Sequence, residues 1–324
     1  MSKFLDGDVS ILPCFVEDQL DLPKLGLSEL SEKDKVWDKH RHSADLVANH
    51  YRGEADFEKY ARRMDACAQL LDFRLVPNSN IGQLELKLFG ASFCRTPRCP
   101  ICQWRRSLKW KGRTLRALPL VVSDYPEYRW LFLTLTQRNC LVTDLRKTVT
   151  HMNKSFARLT KLKKWSIEGW IKSLEVTRGQ DFNAHPHFHC LLMVPSSYFN
   201  RNYINQEEWV CLWQKAARLD YKPQVYIKAV SKKQNPIILI PEILKYSLKE
   251  SDLYKSKEFL LEVTRQLYKM RSISVGGILR QYLRKIEEEP EDLIAINEMK
   301  TENEIDEGHL YFEWRYQEKK YKLK

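Results

Sequence analysis

Residues 185–194 read HPHFHCLLMV, and this run constrains the fold more than any other stretch of the chain. An extended strand turns successive side chains to opposite faces. His187 and His189 therefore share one face, and Phe188 and Cys190 take the other. His185 joins the histidine face if Pro186 leaves the strand intact. The run enters an apolar stretch at Cys190, and a second apolar stretch, Ile167–Arg178, precedes it across a polar loop from Gly179 to about Asn183. Two strands so joined make a hairpin. Trp130–Thr136 (WLFLTLT) is a further strand, rich in aromatic and β-branched residues.

The rest of the chain fills in around that hairpin. Residues 31–51 and 55–72 read as helices, Ile81–Phe89 as an alternating strand, and Arg105–Leu118 as a helix. Asp144 can cap a helix running to about Lys164. Residues 206–219 are helical, Gln224–Val230 is a strand, Pro241 opens a helix, and 253–286 reads as helical. From Trp130 to Leu253 the order is strand, helix, strand, strand, helix, strand, helix. This order predicts an α+β fold with a central, mostly antiparallel sheet flanked by helices. The 324 residues suggest about two domains. The finer division is a helical and irregular region over 1–60, a Cys-rich basic region over 61–120, a sheet-bearing α+β domain over 125–255, and a helical C-terminal region with an acidic connector over 256–324.

Composition narrows the function. Hydrophobic residues make up 43%, which excludes wholesale disorder, and the 11 glycines argue against a Gly-rich dinucleotide fingerprint. No apolar run reaches the ~18–20 residues of a membrane span. The N-terminal MSKFLDGDVSILP lacks a signal-peptide layout, so a cytoplasmic protein with no membrane partner is expected. Its eight cysteines should then be thiols or metal ligands. The net charge of +12 is uneven: 95–116 holds eight Lys/Arg and no acid, whereas 287–307 holds ten acids and one base. A second basic block, 146–172, holds eight Lys/Arg and one acid, and the two blocks contain Trp104, Trp110, Trp165 and Trp170. Cations that neutralise phosphate, interleaved with rings that stack on bases, point to nucleic acid. The acidic run reads as a solvated connector.

Three clusters carry chemistry. Two imidazoles on one strand face can share a divalent ion, and Glu175 in the preceding strand is placed by hairpin pairing to complete the set. A mixed His–His–carboxylate site with open positions suits Mg²⁺ or Mn²⁺ acting on phosphate. In Pro241–Lys249 a helix would put Glu242 and Tyr246 on one face at i and i+4, with Lys249 near the phenol. A tyrosine, with a free pKa of about 10, attacks phosphorus only when its target is polarised or its proton is taken. Glu242 could instead activate a water there. Glu250 and Tyr254 repeat the spacing. Finally, Cys94, Cys99 and Cys102 have zinc-knuckle spacing, with Cys67 the first choice for a fourth ligand. Such a zinc would be structural and would hold Arg105, Arg106, Lys109 and Lys111 toward DNA. Cys14, Cys140, Cys190 and Cys211 read as buried thiols.

In order and spacing these segments resemble the plasmid rolling-circle replication initiators of the HUH endonuclease superfamily, over about Met64 to Asp252. The resemblance rests on Phe132-Leu-Thr-Leu-Thr136, on His185-Pro-His-Phe-His189, on Glu242-x-x-Lys245-Tyr246, and on Phe93-Cys94 through Arg98-Cys99-Pro100-x-Cys102-x-Trp104-Arg105-Arg106. It implies that Tyr246 nicks one strand at a hairpin of the double-strand origin and stays on the 5′ phosphate. It implies a metal on His187, His189 and Glu175, and water activation by Glu242 at termination, as in the single-tyrosine branch. It implies DNA contacts from Arg98, Arg105, Arg106, Lys109, Lys111, Lys245 and Lys249, and a host helicase and DNA polymerase as partners. A transposase or relaxase of the same superfamily shares the chemistry, but relaxases usually place their tyrosine near the N-terminus. A zinc-braced DNA-binding protein without catalysis is the third reading.

Overall fold

The computed structural model describes residues 25–78, 83–180, 182–200, 202–231, 234–245, 247–286 and 308–324. In chain order its elements are helices α1 (Leu27–Leu30), α2 (Val36–Tyr51) and α3 (Glu58–Asp65), strands β1 (Leu70–Asn78) and β2 (Gln83–Ala91), then helix α4 (Pro100–Asp124). There follow β3 (Arg129–Thr136), the two-residue β4 (Cys140–Leu141), α5 (Leu145–Leu159), β5 (Gly169–Arg178), β6 (Asn183–Val194), α6 (Gln206–Ala217) and β7 (Val225–Ala229). The chain continues through α7 (Ile240–Ile243), α8 (Glu250–Tyr254), α9 (Lys257–Gln266), β8 (Ile273–Gly277), α10 (Ile278–Lys285), β9 (His309–Arg315) and β10 (Lys320–Leu323).

The strands form two sheets, β10-β9-β1-β2 and β7-β3-β6-β5-β8, with β4 added beside β6. Every pairing among the described residues is antiparallel. The fold is therefore α+β with antiparallel sheets flanked by helices. The larger sheet is covered on both faces. Leu133, Leu135, Leu174, Val176, Phe188, Cys190 and Leu192 pack toward Val149, Met152 and Phe156 of α5. On the other face, Trp130, Phe132, Ile171, Leu191 and Met193 meet Ala117, Leu118 and Val121 of α4 and Leu279 and Leu283 of α10. On this second face β6 runs from buried aliphatics at 191 and 193 to imidazoles at 187 and 189, so the apolar cover gives way to polar side chains at one end of the sheet.

Four segments differ from the sequence expectation. The helix expected over 55–72 stops at Asp65, and β1 begins at Leu70; Leu71 and Phe73 are buried between its neighbours β2 and β9, a demand no local pattern announces. The helix expected over 253–286 is broken by β8. There Gly276 lies flat against Trp170, where any Cβ would sit 2.3 Å from the indole. Gly277 turns with a positive φ of 59° against the Glu168 carbonyl and starts α10. The C-terminal region expected to be helical ends in strands: β9 pairs β1, and β10 pairs β9. Trp314 and Tyr321 bury their rings there, donating to Asp45 Oδ2 (2.9 Å) and the Ala68 carbonyl (2.6 Å). The fourth departure, at Pro241–Lys249, lies in the site itself. Of the cysteines expected to be buried thiols, Cys190 is buried, Cys140 half-buried and Cys211 exposed on α6; Cys14 lies outside the described residues. No described helix is long and apolar enough to cross a membrane.

Candidate active site

Register assembles the first cluster. Antiparallel pairing sets Glu175 of β5 opposite His187 of β6, and Ser173 opposite His189. Both Nε2 atoms converge on one carboxylate oxygen: His187 at 3.0 Å and His189 at 2.8 Å from Glu175 Oε2. The other ring nitrogens are tethered behind, His187 Nδ1 to the His185 carbonyl (3.3 Å) and His189 Nδ1 to Thr134 Oγ1 (3.2 Å). A ring whose Nδ1–H serves a carbonyl presents its Nε2 lone pair forward. A lone pair aimed at a carboxylate 3.0 Å away calls for a positive charge between them, so the donor set fits a divalent cation. Pro186 does not break β6, and His185 stays half-buried, its Nδ1 2.7 Å from Asn139 Oδ1. Burial, and then the neighbouring His187, lower the His185 pKa.

Lys245 enters the same cluster. Its ammonium lies 2.8 Å from Glu175 Oε2 and 2.7 Å from Glu242 Oε1, while Glu242 Oε1 is 4.0 Å from His189 Nε2. With no cation between them, in the tautomer that turns Nε2–H to the carboxylate, burial would raise the Glu175 carboxyl, but hydrogen bonds from His187, His189 and Lys245 outweigh it and hold the group well below the usual carboxylate range. Desolvation works against the Lys245 charge, yet its two carboxylate partners prevail and raise its pKa. Glu242 is half-exposed and open to solvent beside the cluster.

The helix expected over Pro241–Lys249 is one turn only. α7 ends at Ile243, and Leu244 (φ −105°, ψ 27°) is no longer helical. The backbone beyond it bonds to the sheet instead: Val176 N–H donates to the Ser247 carbonyl at 2.8 Å. Burial of Leu244 and Leu248 pins that path. Glu242, on that single turn, meets Lys245 just beyond it. Tyr246 itself lies outside the described residues. Both its neighbours are anchored to β5, Lys245 at Glu175 and Ser247 at Val176. Ser107 of α4 adds a bond to the Leu244 carbonyl at 2.5 Å. Tyr254 packs against the main core instead, in the short α8.

The cysteines form a second cluster. The Sγ atoms of Cys67, Cys94, Cys99 and Cys102 all lie within 4.8 Å of one another. Three of the separations are 3.6, 3.7 and 3.8 Å. A tetrahedral ion with bonds of about 2.3 Å to sulfur sets its ligands about 3.8 Å apart, so the four thiols fit zinc. Backbone N–H groups of Cys94, Arg95 and Thr96 donate to the sulfurs at 3.3–3.4 Å, which favours thiolates. Donation from Cys102, Cys67 and Cys99 holds the Cys94 thiol far below its ordinary pKa, whereas burial raises that of Cys99.

The expected DNA-contacting cations divide. Arg98, in the loop between Cys94 and Cys99, turns inward and donates from Nη1 to Ser247 Oγ at 3.3 Å. Arg105 lies over the rings of Trp37, Phe93 and Trp104 at 5.7–5.9 Å. Arg106 and Lys249 are exposed, and Lys109 and Lys111 are half-buried. Thr134 and Asn139, which stand in and just after the Phe132–Thr136 motif, tether the site in a role the sequence did not assign them; sequence reasoning passed over Ser107, which also tethers it, and Lys172, which lies on the opposite face of β5. Lys172 is buried, bonded to Asn153 Oδ1 at 2.6 Å and 3.7 Å from the Phe188 ring centroid. Burial lowers its pKa to about 8. A lone lysine in an apolar strand was the available signal.

A family model described as a replication protein (Rep_1) matches residues 85–322, which include Glu175, His187, His189 and three of the four clustered cysteines. The chain belongs to this replication-protein family. A "Protein rep" of Bacillus amyloliquefaciens is 32% identical over 302 residues, covering 82% of this chain and 87% of that one. One from Streptococcus pneumoniae serotype 2 is 31% identical, covering 79% and 81%. One from Lactiplantibacillus plantarum is 36% identical, covering 69% and 74%. No solved structure matches. The Rep_1 assignment makes the chain a plasmid replication initiator, and both clusters are features of this Rep_1 protein's own fold.

Proposed function

We propose that this replication protein starts rolling-circle replication by nicking one strand of its plasmid's double-strand origin, at a single-stranded hairpin, and keeping the 5′ end as a phosphotyrosine. The observation that carries the reading is the convergence of His187 and His189 Nε2 on Glu175 Oε2, with Lys245 and Glu242 at the same carboxylate. A Mg²⁺ or Mn²⁺ ion held by Glu175, His187 and His189 would act as a Lewis acid on the scissile phosphate. The Tyr246 oxygen attacks phosphorus, and the bond to the 3′ oxygen breaks. That oxygen leaves as a 3′-hydroxyl after taking a proton, free to prime the host polymerase behind a host helicase. The anchoring of Lys245 and Ser247 to β5 supports delivery of Tyr246 to this place. Lys245 contributes positive charge beside the phosphate, and at termination Glu242 takes a proton from the attacking water. A zinc ion on Cys67, Cys94, Cys99 and Cys102 would brace the fold. Arg106, Lys109, Lys111 and Lys249 are proposed to hold flanking DNA in the cytoplasm of the host.

The test is incubation with single-stranded oligonucleotides tiling the encoding replicon's own origin, with Mn²⁺. A protein–DNA band resistant to denaturant is expected for the tile holding the nick site. No such band from any tile would overturn the proposal.

A further inference from the structure

Beyond the cluster at 175, 187 and 189, the same face of the sheet carries a second, wholly cationic feature at its β8 edge. Ser173 pairs with Ile273 and Ile171 with Val275, so Ile273 and Val275 face the same way as Glu175. They floor a pocket of about 420 Å³ walled by Trp110, Arg113, Arg271, Arg280, Leu283 and Arg284. Four of its lining residues are arginines, and no carboxylate is among the described residues that line it. Two arginines are held in place. Arg113 donates from Nε to the Leu283 carbonyl (2.6 Å) and lies 5.8 Å from the Trp110 ring centroid, and Arg280 chelates the Val275 carbonyl at 3.0–3.1 Å. Arg271 and Arg284 are exposed at the rim.

The groove and the site share strand β5. The β5–β8 ladder extends past its last pair through Leu174 N–H to the Ser272 carbonyl at 2.7 Å. Along the same edge of β5, Val176 binds Ser247. The line of β8 therefore runs into the segment that carries residues 245 and 247.

From this geometry we infer that the β8 groove binds single-stranded DNA flanking the scissile phosphate, with phosphates on Arg271 and Arg284 and a base against Trp110. The inference rests on the nicking proposal for its biological setting. Arginines on one rim and an indole on the wall suit a backbone that alternates phosphate and base. Its volume of about 420 Å³ is of the size that takes a small molecule or a single nucleotide. The other conceivable occupant is the chain's own acidic run, which begins at Glu287, three residues after Arg284.

The test uses the full-length protein and a fluorescent dT20 strand, which needs neither origin sequence nor cleavage. Anisotropy titrations across salt compare wild type, Arg271→Gln/Arg284→Gln, and a charge-matched control, Lys39→Gln/Lys319→Gln, on exposed positions elsewhere. Each phosphate contact on a single strand contributes a slope of about 0.7 in log K against log salt. The arginine variant should lose about 1.4 in slope, and the control should keep the wild-type slope. A 20-base-pair duplex should show no comparable difference. An unchanged slope in the arginine variant, an equal loss in the control, an equal change on duplex, or tighter binding once the arginines are gone would each overturn the inference. The last result would assign the groove to the acidic run. Absence of a covalent adduct on origin DNA would defeat the nicking proposal and leave this comparison intact.

Discussion

Arg98 Nη1 donates to the Ser247 hydroxyl at 3.3 Å, joining the loop between two clustered cysteines to the residue that follows Tyr246. Arg98 adopts a left-handed backbone (φ 65°), a conformation that is costly away from glycine and is held here by the cysteines around it. Burial also lowers its pKa to about 10, which leaves the guanidinium charged at neutral pH. The cysteine loop thus contacts the residue that follows position 246.

Arg98→Lys keeps the charge and loses the planar fork. Covalent adduct formation should slow by roughly tenfold to a hundredfold, the scale of small misplacements of reacting groups. Bound zinc should be unchanged, as read by metal analysis of the same preparation. Loss of zinc from the variant would show that the arginine serves the cysteine loop alone.

The cysteine cluster itself predicts about one tightly held zinc per chain, stable to dialysis and released by denaturation with chelator. Cys67→Ser should lose that ion and lower the melting temperature by several degrees. It should do so although Cys67 stands 27 residues before Cys94. A purified wild-type protein without zinc would refute the four-cysteine site.

Glu242 touches Lys245 at 2.7 Å but stays half-exposed, and its Oε1 is 4.0 Å from His189 Nε2. Glu242→Ala should therefore leave the first cleavage within a few-fold of wild type and slow hydrolytic release of the 5′ end by on the order of a hundredfold, the contribution of a positioned base. Trapped adduct should accumulate on a gel over time. Equal loss of nicking and release would instead place Glu242 in the first step.

Much of the large sheet was legible because β3, β5, β6 and β7 announce themselves by alternation and β-branched residues. The four-residue loop between β5 and β6 fixes the register, and with it the meeting of Glu175 and His187. β1 was not legible, because LLDFRLVPN is a strand only by virtue of β2 and β9, one of which arrives from more than 230 residues away. The arrest of α7 at Ile243 was equally hidden. An E-x-x-K-Y segment has good helical spacing, and only Val176 and Glu175 divert its backbone and its lysine to the sheet. Arg98 read as a DNA contact because charge is visible in sequence and an inward turn is not.

Lys172 gives a pH prediction on the opposite face of β5. Its folded pKa, lowered by burial to about 8, lies below the unfolded value of about 10.4. Between those values the unfolded chain binds more protons, so this residue's contribution makes stability rise with pH from about 8 to 10. Below pH 8 it costs on the order of 3 kcal/mol. Lys172→Met should raise the melting temperature at pH 7 and flatten the rise between pH 8 and 10 relative to wild type. A lower melting temperature for Lys172→Met at pH 7 would mean that its bonds to Asn153 and Phe188 outweigh desolvation.

The central claim is that residue 246 is the nucleophile at the Glu175–His187–His189 cluster. Proteolysis of the covalent complex with a single-stranded origin oligonucleotide, followed by mass mapping of the DNA-bearing peptide, tests it most directly. The phosphate is predicted on Tyr246, and Tyr246→Phe should bind the oligonucleotide as tightly as wild type yet form no adduct. Phosphate mapped to Tyr254 or any other residue, or an undiminished adduct from Tyr246→Phe, would contradict it.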